Sequence, residues 1–357
     1  MASPMIDLRS DTVTRPTQPM RDAMMAAPLG DDVLGDESAV TTLEIKIAAL
    51  LGKEAGLFVP SGTMANQLAI RGHCEAGDEI IAHGESHIIH YETGAPAAIS
   101  GCMIRPLDGP RGLFEAATVT AAVRNRDIHS PKSRLVVAEN THNRGGGSVW
   151  PIAQFRSVCV AARAHDLAIH VDGARLFNAC VTAGYSPSEF AATADTASVC
   201  FSKGLGAPVG SALVGPRPFI ERCRRFRKMF GGGMRQSGLL AAAAIYALDH
   251  HVARLTQDHA RAKALAQKLA KLSGIIVDPP VELIESNMVF FTLADHLTDQ
   301  MADPLGDAQA FCARLREQGV SLIPMGPRRV RAVMHLDVPD DVVERTVTAI
   351  TRTLGAV

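Results

Sequence analysis

The sequence predicts an α/β protein with a large domain, built on a mainly parallel sheet with helices on both faces, and a smaller C-terminal α+β domain. Short apolar runs of strand type alternate with helical patterns up to about Asp249. Beyond Asp249 the pattern changes to amphipathic helices that flank two strands. The chain has 357 residues, 47% of them apolar, which is enough for one large domain and a smaller one.

The large domain is predicted to contain six strands and four longer helices. The strands are short apolar runs at 56–60, 79–82, 134–138, 167–171, 197–201 and 211–214. The helical patterns lie at 40–51, 65–74, 154–165 and 236–249. Such alternation is typical of parallel strands, because their crossover connections are usually helices.

The smaller domain is predicted to contain helices at 259–272 and 307–318, strands near 288–293 and 330–334, and a last helix at 340–354 with Pro339 near its start. The predicted division is an N-terminal arm at 1–16, a large domain at 17–249 and a small domain at 250–357. The arm is polar and too short to be a domain. We therefore expect it to fold across the active site or a subunit interface.

Composition excludes several classes of protein. The formal net charge is −1, so no basic field favours nucleic-acid binding. The seven cysteines are scattered without a C-x-x-C pair, which favours reduced thiols in a cytoplasm. The sequence shows no signal-peptide pattern, and its longest apolar run, at 239–248, is too short to span a bilayer. No G-x-G-x-x-G follows the first strand, which argues against a dinucleotide dehydrogenase.

One lysine and one aspartate follow apolar strands of the predicted sheet. Lys203 stands after the run 199–201 in a loop of small residues, and Asp172 ends the run 168–171. Each alone has an ordinary interpretation, since a lysine after a strand is usually solvated and Asp172-Gly173 could be a turn. Together they indicate a pyridoxal phosphate (PLP) site. The lysine would hold the cofactor as an imine, and the aspartate would keep the ring nitrogen protonated.

The phosphate of such a cofactor needs a group of free donors. Ser61-Gly62-Thr63 follows a predicted strand and opens the helix 65–74, where backbone N–H groups and the positive end of the helix dipole converge. A plain N-cap would use the same residue types.

The histidines His83, His87 and His90 could instead suggest zinc on a helix, but the run lacks the glutamate of an H-E-x-x-H motif, so we expect no metal.

These motifs, in their order along the chain, resemble the L-threonine aldolase family of PLP enzymes of fold type I. The likeness runs from about residue 6 to residue 337. The matching segments are 6–16, Gly30-Asp31-Asp32-Val33, Ser61-Gly62-Thr63, Glu139-Asn140-Thr141-His142, 170–175, 202–206, 231–236 and His335-Leu336-Asp337. The resemblance implies dependence on PLP and a large domain with a mostly parallel seven-stranded sheet.

The resemblance also implies roles for residues around the cofactor. It assigns Gly62 and Thr63 to the phosphate, with Ser202 and Arg175 nearby. It places Lys228 and Arg235, which bracket the glycines 231–233, near the phosphate across a subunit interface.

Two histidines receive roles from the resemblance. His87 would lie flat over the pyridine ring, where it can stack and exchange protons with the substrate. His129 matches a second active-site histidine, and without that match it would be an ordinary loop residue. His83 and His90 remain ordinary polar or interface residues.

Recognition of the substrate carboxylate requires an arginine, because a guanidinium offers two parallel donors. Arg175 comes three residues after Asp172, so a helical turn would direct it into the site. The resemblance adds Arg331 and, from the N-terminal arm, Ser10. It leaves Arg328 and its neighbour Arg329 as solvated residues.

The implied reaction is the retro-aldol cleavage of an L-β-hydroxy-α-amino acid to glycine and an aldehyde. The base that removes the β-hydroxyl proton could be His87, His129 or a water molecule held by them. An aminotransferase or a β-eliminating lyase would share Lys203 and Asp172, and a non-enzymatic PLP-binding module is the alternative outside enzymes. The partners implied are a small amino-acid substrate and a second copy of the chain, in a dimer or a dimer of dimers.

Two departures from the family pattern bear on the substrate. Many relatives carry tyrosine where this chain has Leu34, and a polar residue is frequent where it has Met64. Both changes would make the pocket around Leu34 and Tyr91 more apolar, which favours aryl substrates such as phenylserine beside threonine and allo-threonine. Alternatively, Leu34 and Met64 simply face the core.

Overall fold

The chain divides into two compact units. A computed structural model describes residues 5–294 and 307–355. The large unit is Pro16–Val252, and the small unit comprises the described parts of Met1–Arg15 and Ala253–Val357. The N-terminal arm therefore belongs to the same unit as the C-terminal part of the chain.

The described residues form thirteen strands, most of them short. In chain order they are β1 (Ile6–Asp7), β2 (Ala55–Val59), β3 (Glu79–His83), β4 (Met103–Leu107), β5 (Ser133–Glu139), β6 (Ala168–Gly173), β7 (Thr196–Cys200), β8 (Ser211–Gly215), β9 (Ile275–Val277), β10 (Met288–Leu293), β11 (Val320–Ser321), β12 (Ile323–Pro324) and β13 (Arg329–Val333).

Helices separate most of these strands. In chain order they are α1 (Gln18–Met25), α2 (Ser38–Leu50), α3 (Gly62–His73), α4 (His87–His90), α5 (Ala95–Ser100), α6 (Ala116–Ala122), α7 (Ile152–Ala164), α8 (Leu176–Ala183), α9 (Pro187–Ala191), α10 (Arg217–Met229), α11 (Gly238–His250), α12 (Leu255–Leu269), α13 (Ala308–Glu317) and α14 (Val342–Gly355). Single turns of 3-10 helix lie at Asp11–Val13, Pro110–Gly112 and Val281–Leu283.

A seven-stranded sheet lies at the centre of the large unit, with the strand order β2-β8-β7-β6-β5-β3-β4. Strand β8 runs antiparallel to β2 and β7, and the pairs from β7 to β4 are parallel. Every residue of β3, β7 and β8 is buried, so these strands are covered on both faces. The predicted mostly parallel seven-stranded sheet is confirmed.

The edge strand β4 is missing from the six strands that the apolar runs predicted. Met103–Leu107 contains Pro106, which cannot donate to a sheet ladder, and Met103 is 55% exposed. An edge strand tolerates both features because only one side of it pairs. Periodicity alone therefore could not identify β4.

Helix α3 begins three residues earlier than its periodicity predicted. Ser61 is the N-cap, and its Oγ accepts a hydrogen bond from the Met64 amide at 3.2 Å. Gly62 and Thr63 are therefore the first helical residues rather than part of the preceding loop. Their N–H groups point out of the helix end, which is the geometry that binds anions.

The small unit contains a four-stranded antiparallel sheet of order β12-β13-β10-β9. Its core includes Leu265 of α12, Phe291 of β10, Phe311 of α13 and Ile350 of α14, all fully buried. The predicted helix at 307–318 matches α13, and the predicted strand near 288–293 matches β10.

The N-terminal arm is tied to this small unit. Strand β1 pairs in parallel with β11, Ile6 opposite Val320. The ring nitrogen Nε2 of His335 lies 2.6 Å from the carbonyl oxygen of Asp7, and the Arg15 amide donates to Asp337 at 2.8 Å. The sequence segments 6–16 and 335–337 thus have a structural role inside one unit.

Over the described ranges 5–294 and 307–355, none of the helices has the length and apolar character that a membrane span requires.

Candidate active site

Asp172 and Lys203 follow neighbouring parallel strands. Asp172 is the fifth residue of β6 and stands opposite Ser198 of β7, and Lys203 comes three residues after β7 ends. Since parallel strands end at the same edge of a sheet, both side chains lie at that edge. Asp172 is buried and Lys203 is half-buried. The structure therefore brings together the two residues on which the predicted PLP site depends.

The Asp172 carboxylate is held in its ionised form. Burial alone would raise its pKa, but the positive charges of His87 and Lys203 and a hydrogen bond from Asn66 lower it below the ordinary value of 3.8. That hydrogen bond joins Asn66 Nδ2 to Asp172 Oδ2 at 2.8 Å. An ionised, buried carboxylate is the partner that a protonated ring nitrogen requires.

Asn66, on α3, is a buried junction of this site. Its Nδ2 donates to Asp172 and also to Glu92 Oε1, each at 2.8 Å. Its Oδ1 accepts from Ser198 Oγ at 3.0 Å and from His170 Nε2 at 3.2 Å. Burial lowers the pKa of His170 to about 4, so that ring is neutral. These partners fix the orientation of the Asn66 amide.

His87 opens α4 and lies next to Asp172. Its backbone N–H donates to Glu139 Oε2 at 2.8 Å, and its Nδ1 lies 2.8 Å from Glu92 Oε1. Burial would lower the pKa of His87, but the Glu92 hydrogen bond and the charges of Asp172 and Glu139 raise it. The Tyr91 ring centroid is 5.4 Å from that of His87. Side-chain atoms of His87, Glu92 and Asp172 thus lie within 4.8 Å of one another.

The histidines that could have suggested zinc point to different places. His83 Nε2 lies 3.0 Å from the carbonyl oxygen of Gly109, and His90 Nε2 lies 3.1 Å from that of Gly84. His87 is instead grouped with two carboxylates on other elements. The three histidines therefore do not share one coordination point.

The start of α3 has the geometry that the predicted phosphate site requires. A Cβ atom added to Gly62 would come within 2.7 Å of Cys200 Sγ, so glycine lets the helix start approach the end of β7. Ser202 comes two residues after that strand end. The N–H groups of Gly62 and Thr63 stand at the first turn of a twelve-residue helix, where the positive end of the helix dipole lies.

The glycines 231–233 pack over this same region, and a buried ion pair holds them there. A Cβ added to Gly232 would overlap Met64 Sδ. Arg227, at the end of α10, donates to Asp32 Oδ2 at 2.6 Å and to the carbonyl oxygen of Phe58 at 2.7 Å. Arg235 pairs with Asp31 at 3.0 Å. The motif Gly30-Asp31-Asp32-Val33 therefore anchors the glycine-rich loop.

The predicted carboxylate ligands lie in both units. Arg175 is buried in the large unit and occupies the N-cap position of α8. In the small unit, Arg331 is buried on β13 and its Nη2 donates to the carbonyl oxygen of Arg9 at 3.1 Å. That contact places Arg331 beside Ser10, the next residue of the arm.

The chain has close relatives among known proteins. A family model described as beta-eliminating lyase matches residues 7–294. The low specificity L-threonine aldolase of Escherichia coli K12 is 42% identical over 335 residues, covering 94% of this chain and 95% of the relative. The low-specificity L-threonine aldolase 1 of Arabidopsis thaliana is 41% identical over 336 residues, covering 92% and 91%. The chain belongs to the beta-eliminating lyase family, and within it to the L-threonine aldolases.

The fold of the enzyme agrees with this family. A threonine aldolase of Leishmania major superimposes with a TM-score of 0.81 at 20% identity, covering 98% of this chain and 99% of that one. The predicted family, the fold class, the aldehyde-lyase class and the dependence on PLP are confirmed.

The residues of the enzyme fit PLP by an observation independent of these relatives. The site provides an ionised buried carboxylate at Asp172, an amine at Lys203 and a helix that starts at Gly62, a residue without a side chain. These three groups match the ring nitrogen, the aldehyde carbon and the phosphate of the cofactor.

Two predicted residues lie elsewhere than expected within a single chain. His129 is exposed in the loop before β5, at the amino end of that strand, whereas Asp172 lies at the carboxyl edge of the sheet. The structure therefore does not bring His129 to the site of its own chain. Leu34 is 76% exposed. Lys228 is exposed on α10 beside Gly233, and its predicted contact is with the phosphate of a neighbouring chain.

The sequence reasoning missed Asn66, Glu92 and Arg227. Asn66 lies one turn into a helix that was already assigned to the phosphate, so its spacing from Gly62 could have suggested a side chain at the cofactor. Glu92 is a lone carboxylate five residues after His87, and no helical spacing marks it. Arg227 lies in a run of charged residues that is typical of a solvated helix.

Proposed function

We propose that the enzyme cleaves L-β-hydroxy-α-amino acids, including threonine and allo-threonine, to glycine and an aldehyde. The observation that carries the proposal is the buried, ionised Asp172, whose pKa is lowered by the neighbouring charges of His87 and Lys203. The low-specificity L-threonine aldolases among its relatives support the same reaction.

Each residue of the site has a proposed task. Bound PLP supplies an electron sink for the pair released when the Cα–Cβ bond breaks. Lys203 holds the cofactor and returns at the end of the turnover. Asp172 keeps its negative charge against the ring nitrogen, and the amides at Gly62 and Thr63 hold the phosphate. His87 takes the proton of the β-hydroxyl group, because the site contains its ring and not that of His129.

The proposed ligands of the substrate carboxylate are Arg331 with Ser10 and, in the large unit, Arg175. Burial of both arginines supports this, since a charge-assisted pair is stronger where water is excluded. Arg235 and Lys228 stay proposed phosphate contacts from a neighbouring chain. Their exposure in one chain is consistent with that arrangement.

The range of substrates is proposed to include phenylserine. Of the two residues expected to make the pocket apolar, only Leu34 remains available to contact a substrate, because Met64 packs against Gly232 and the core beneath α3. An exposed leucine can border a pocket only when a second chain covers it. The aryl preference therefore depends on assembly as well as on sequence.

The proposed assembly is a dimer or a dimer of dimers. A cleft of about 350 Å³ between α1, α2 and α11 is lined by Ala27, Ala39 and Ile245, and Met25 and Leu29 near it are 81% and 55% exposed. Exposed apolar residues around an apolar cleft favour a protein partner, and a second copy is the partner that closed symmetry supplies. Sedimentation of a fully active monomer would contradict this.

A cytoplasmic location, testable by cell fractionation, is proposed from the seven buried thiols.

The deciding experiment identifies the products. Purified enzyme with PLP should release glycine and the matching aldehyde from threonine, allo-threonine and phenylserine. Formation of a keto acid and ammonia instead would favour a β-eliminating lyase, which the description of the matching family model makes the second candidate. Formation of a keto acid with transfer of the amino group would identify an aminotransferase.

A further inference from the structure

A buried glutamate that the proposed reaction does not use lies directly behind His87. The Glu92 side chain has no exposed surface. Its Oε1 accepts hydrogen bonds from Asn66 Nδ2 and His87 Nδ1, each at 2.8 Å, and its Oε2 accepts from Gln67 Nε2 at 2.5 Å. Both oxygens of this buried carboxyl group therefore act as hydrogen-bond acceptors.

The surrounding network decides where the proton of His87 lies. Ser198 and His170 both donate to Asn66 Oδ1, so the Asn66 amide must present its N–H groups to the carboxylates. Gln67 likewise presents a donor. Because both Glu92 oxygens already accept hydrogen bonds from amide groups, the hydrogen atom between Glu92 and His87 belongs to His87 Nδ1.

We infer that Glu92 is a positioning residue for His87: it keeps a proton on Nδ1 and thereby leaves Nε2 as the nitrogen that exchanges protons with the substrate. The inference rests on the proposed role of His87. The anchor of the His87 backbone on Glu139 fixes the other end of the residue, so the plane of the ring is held from two sides. An aspartate or glutamate behind a histidine serves the same purpose in other acid–base sites.

The charges that face His87 come from three elements besides its own helix. They are Asp172 on β6, Glu139 at the end of β5 and Glu92 in the turn after α4. Within residues 5–294 and 307–355, Glu92 is the one acid that hydrogen-bonds the ring itself. Replacing it by glutamine removes one charge and keeps the shape of the side chain. The protonation midpoint of His87 should then fall by about one pH unit or more, which corresponds to about 1.4 kcal/mol.

The experiment measures each histidine of the full-length enzyme separately. Exchange of the imidazole C2 hydrogen with deuterium, followed by peptide mass spectrometry over a range of pH, gives the midpoint of each residue with and without PLP. The variants are Glu92→Gln, the charge-retaining Glu92→Asp and the matched control Glu85→Gln. Glu85 is an exposed acid 3.5 Å from His90, in the same stretch of chain.

We expect Glu92→Gln to lower the midpoint of His87 and to leave that of His90 unchanged. The control Glu85→Gln should leave the midpoint of His87 unchanged. In Glu92→Asp the midpoint of His87 should fall less than in Glu92→Gln, because the charge is retained. In the aldehyde assay, Glu92→Gln should lower kcat by about tenfold or more with little change in KM, and should shift the limb of the pH profile that reports His87.

An unchanged His87 midpoint in a Glu92→Gln protein that still binds PLP would overturn the inference, as would an equal effect of Glu85→Gln. If Glu92→Gln does not fold, an unchanged midpoint in Glu92→Asp together with an unchanged pH profile would overturn it. A wild-type enzyme that releases no aldehyde while its His87 midpoint still depends on Glu92 would refute the proposed function and leave the pairing of Glu92 with His87 standing.

Discussion

The substitution Asp32→Asn should leave the buried positive charge of Arg227, in the large unit, without its counter-charge. The side chains of Asp32 and Arg227 are 4% and 3% exposed, and they meet at 2.6 Å. Burial lowers the pKa of Arg227, but a guanidinium stays charged at neutral pH. The Asp32→Asn protein must therefore fold around an uncompensated cation.

The expected loss of stability follows from these contacts. Removing one partner of a buried pair costs about 3–5 kcal/mol. Asparagine keeps an oxygen that can accept one N–H bond from Arg227, which recovers about 1 kcal/mol. Arg227 also keeps its bond to the carbonyl oxygen of Phe58. The free energy of unfolding should therefore fall by about 2–4 kcal/mol.

Urea unfolding at a fixed protein concentration measures this loss, with the fluorescence of the single, fully buried Trp150 as the probe. Asp31→Asn is the matched control, because its partner Arg235 is 57% exposed and solvent screens the pair. Adding Arg227→Met to Asp32→Asn should restore most of the stability. A loss for Asp32→Asn no larger than for Asp31→Asn would refute the reasoning.

Further outcomes concern the site itself. Lys203→Ala should abolish turnover and the absorption of the lysine-bound cofactor; a borohydride-reduced label on another lysine would exclude Lys203. Arg331→Leu should lower kcat/KM for every substrate by about 2–4 kcal/mol while cofactor binding survives, and unchanged kinetics would remove it from the carboxylate site. Leu34→Tyr should change the ratio of phenylserine to threonine cleavage, whereas an equal change for both would make Leu34 a packing residue. Because the pKa of Asp172 is lowered, its ionised form adds stability above pH 3.8 that is lost as the pH falls further; the Asp172→Asn protein should show a smaller loss over that acid range in unfolding titrations.

The residues that sequence could predict are those whose role depends on local order along the chain. Lys203 and Asp172 each follow an apolar strand, and Gly62 opens a helix after one, so the rules for parallel sheets place all three at one edge. The same rules place His129 at the opposite edge, because it precedes its strand. The resemblance to a family outweighed that signal.

The residues that sequence could not predict meet partners far along the chain. Arg227 and Asp32 are separated by most of the large unit, and neither lies in a pattern that suggests burial. Glu92 and Asn66 become a pair only when α3 packs beside the segment that leads into α5. Buried polar contacts of this kind depend on the exact packing of elements, which composition and periodicity do not contain.

The small unit is discontinuous in sequence, and this has a consequence for how the protein is made. Strand β1 needs β11, and Ile6 meets Val320 only after nearly the whole chain has left the ribosome. The large unit, Pro16–Val252, is a continuous segment that can fold while synthesis continues. During that interval the first residues of the polypeptide have no strand to join. A truncated product that stops before β11 would therefore carry a complete large unit and a free amino-terminal segment.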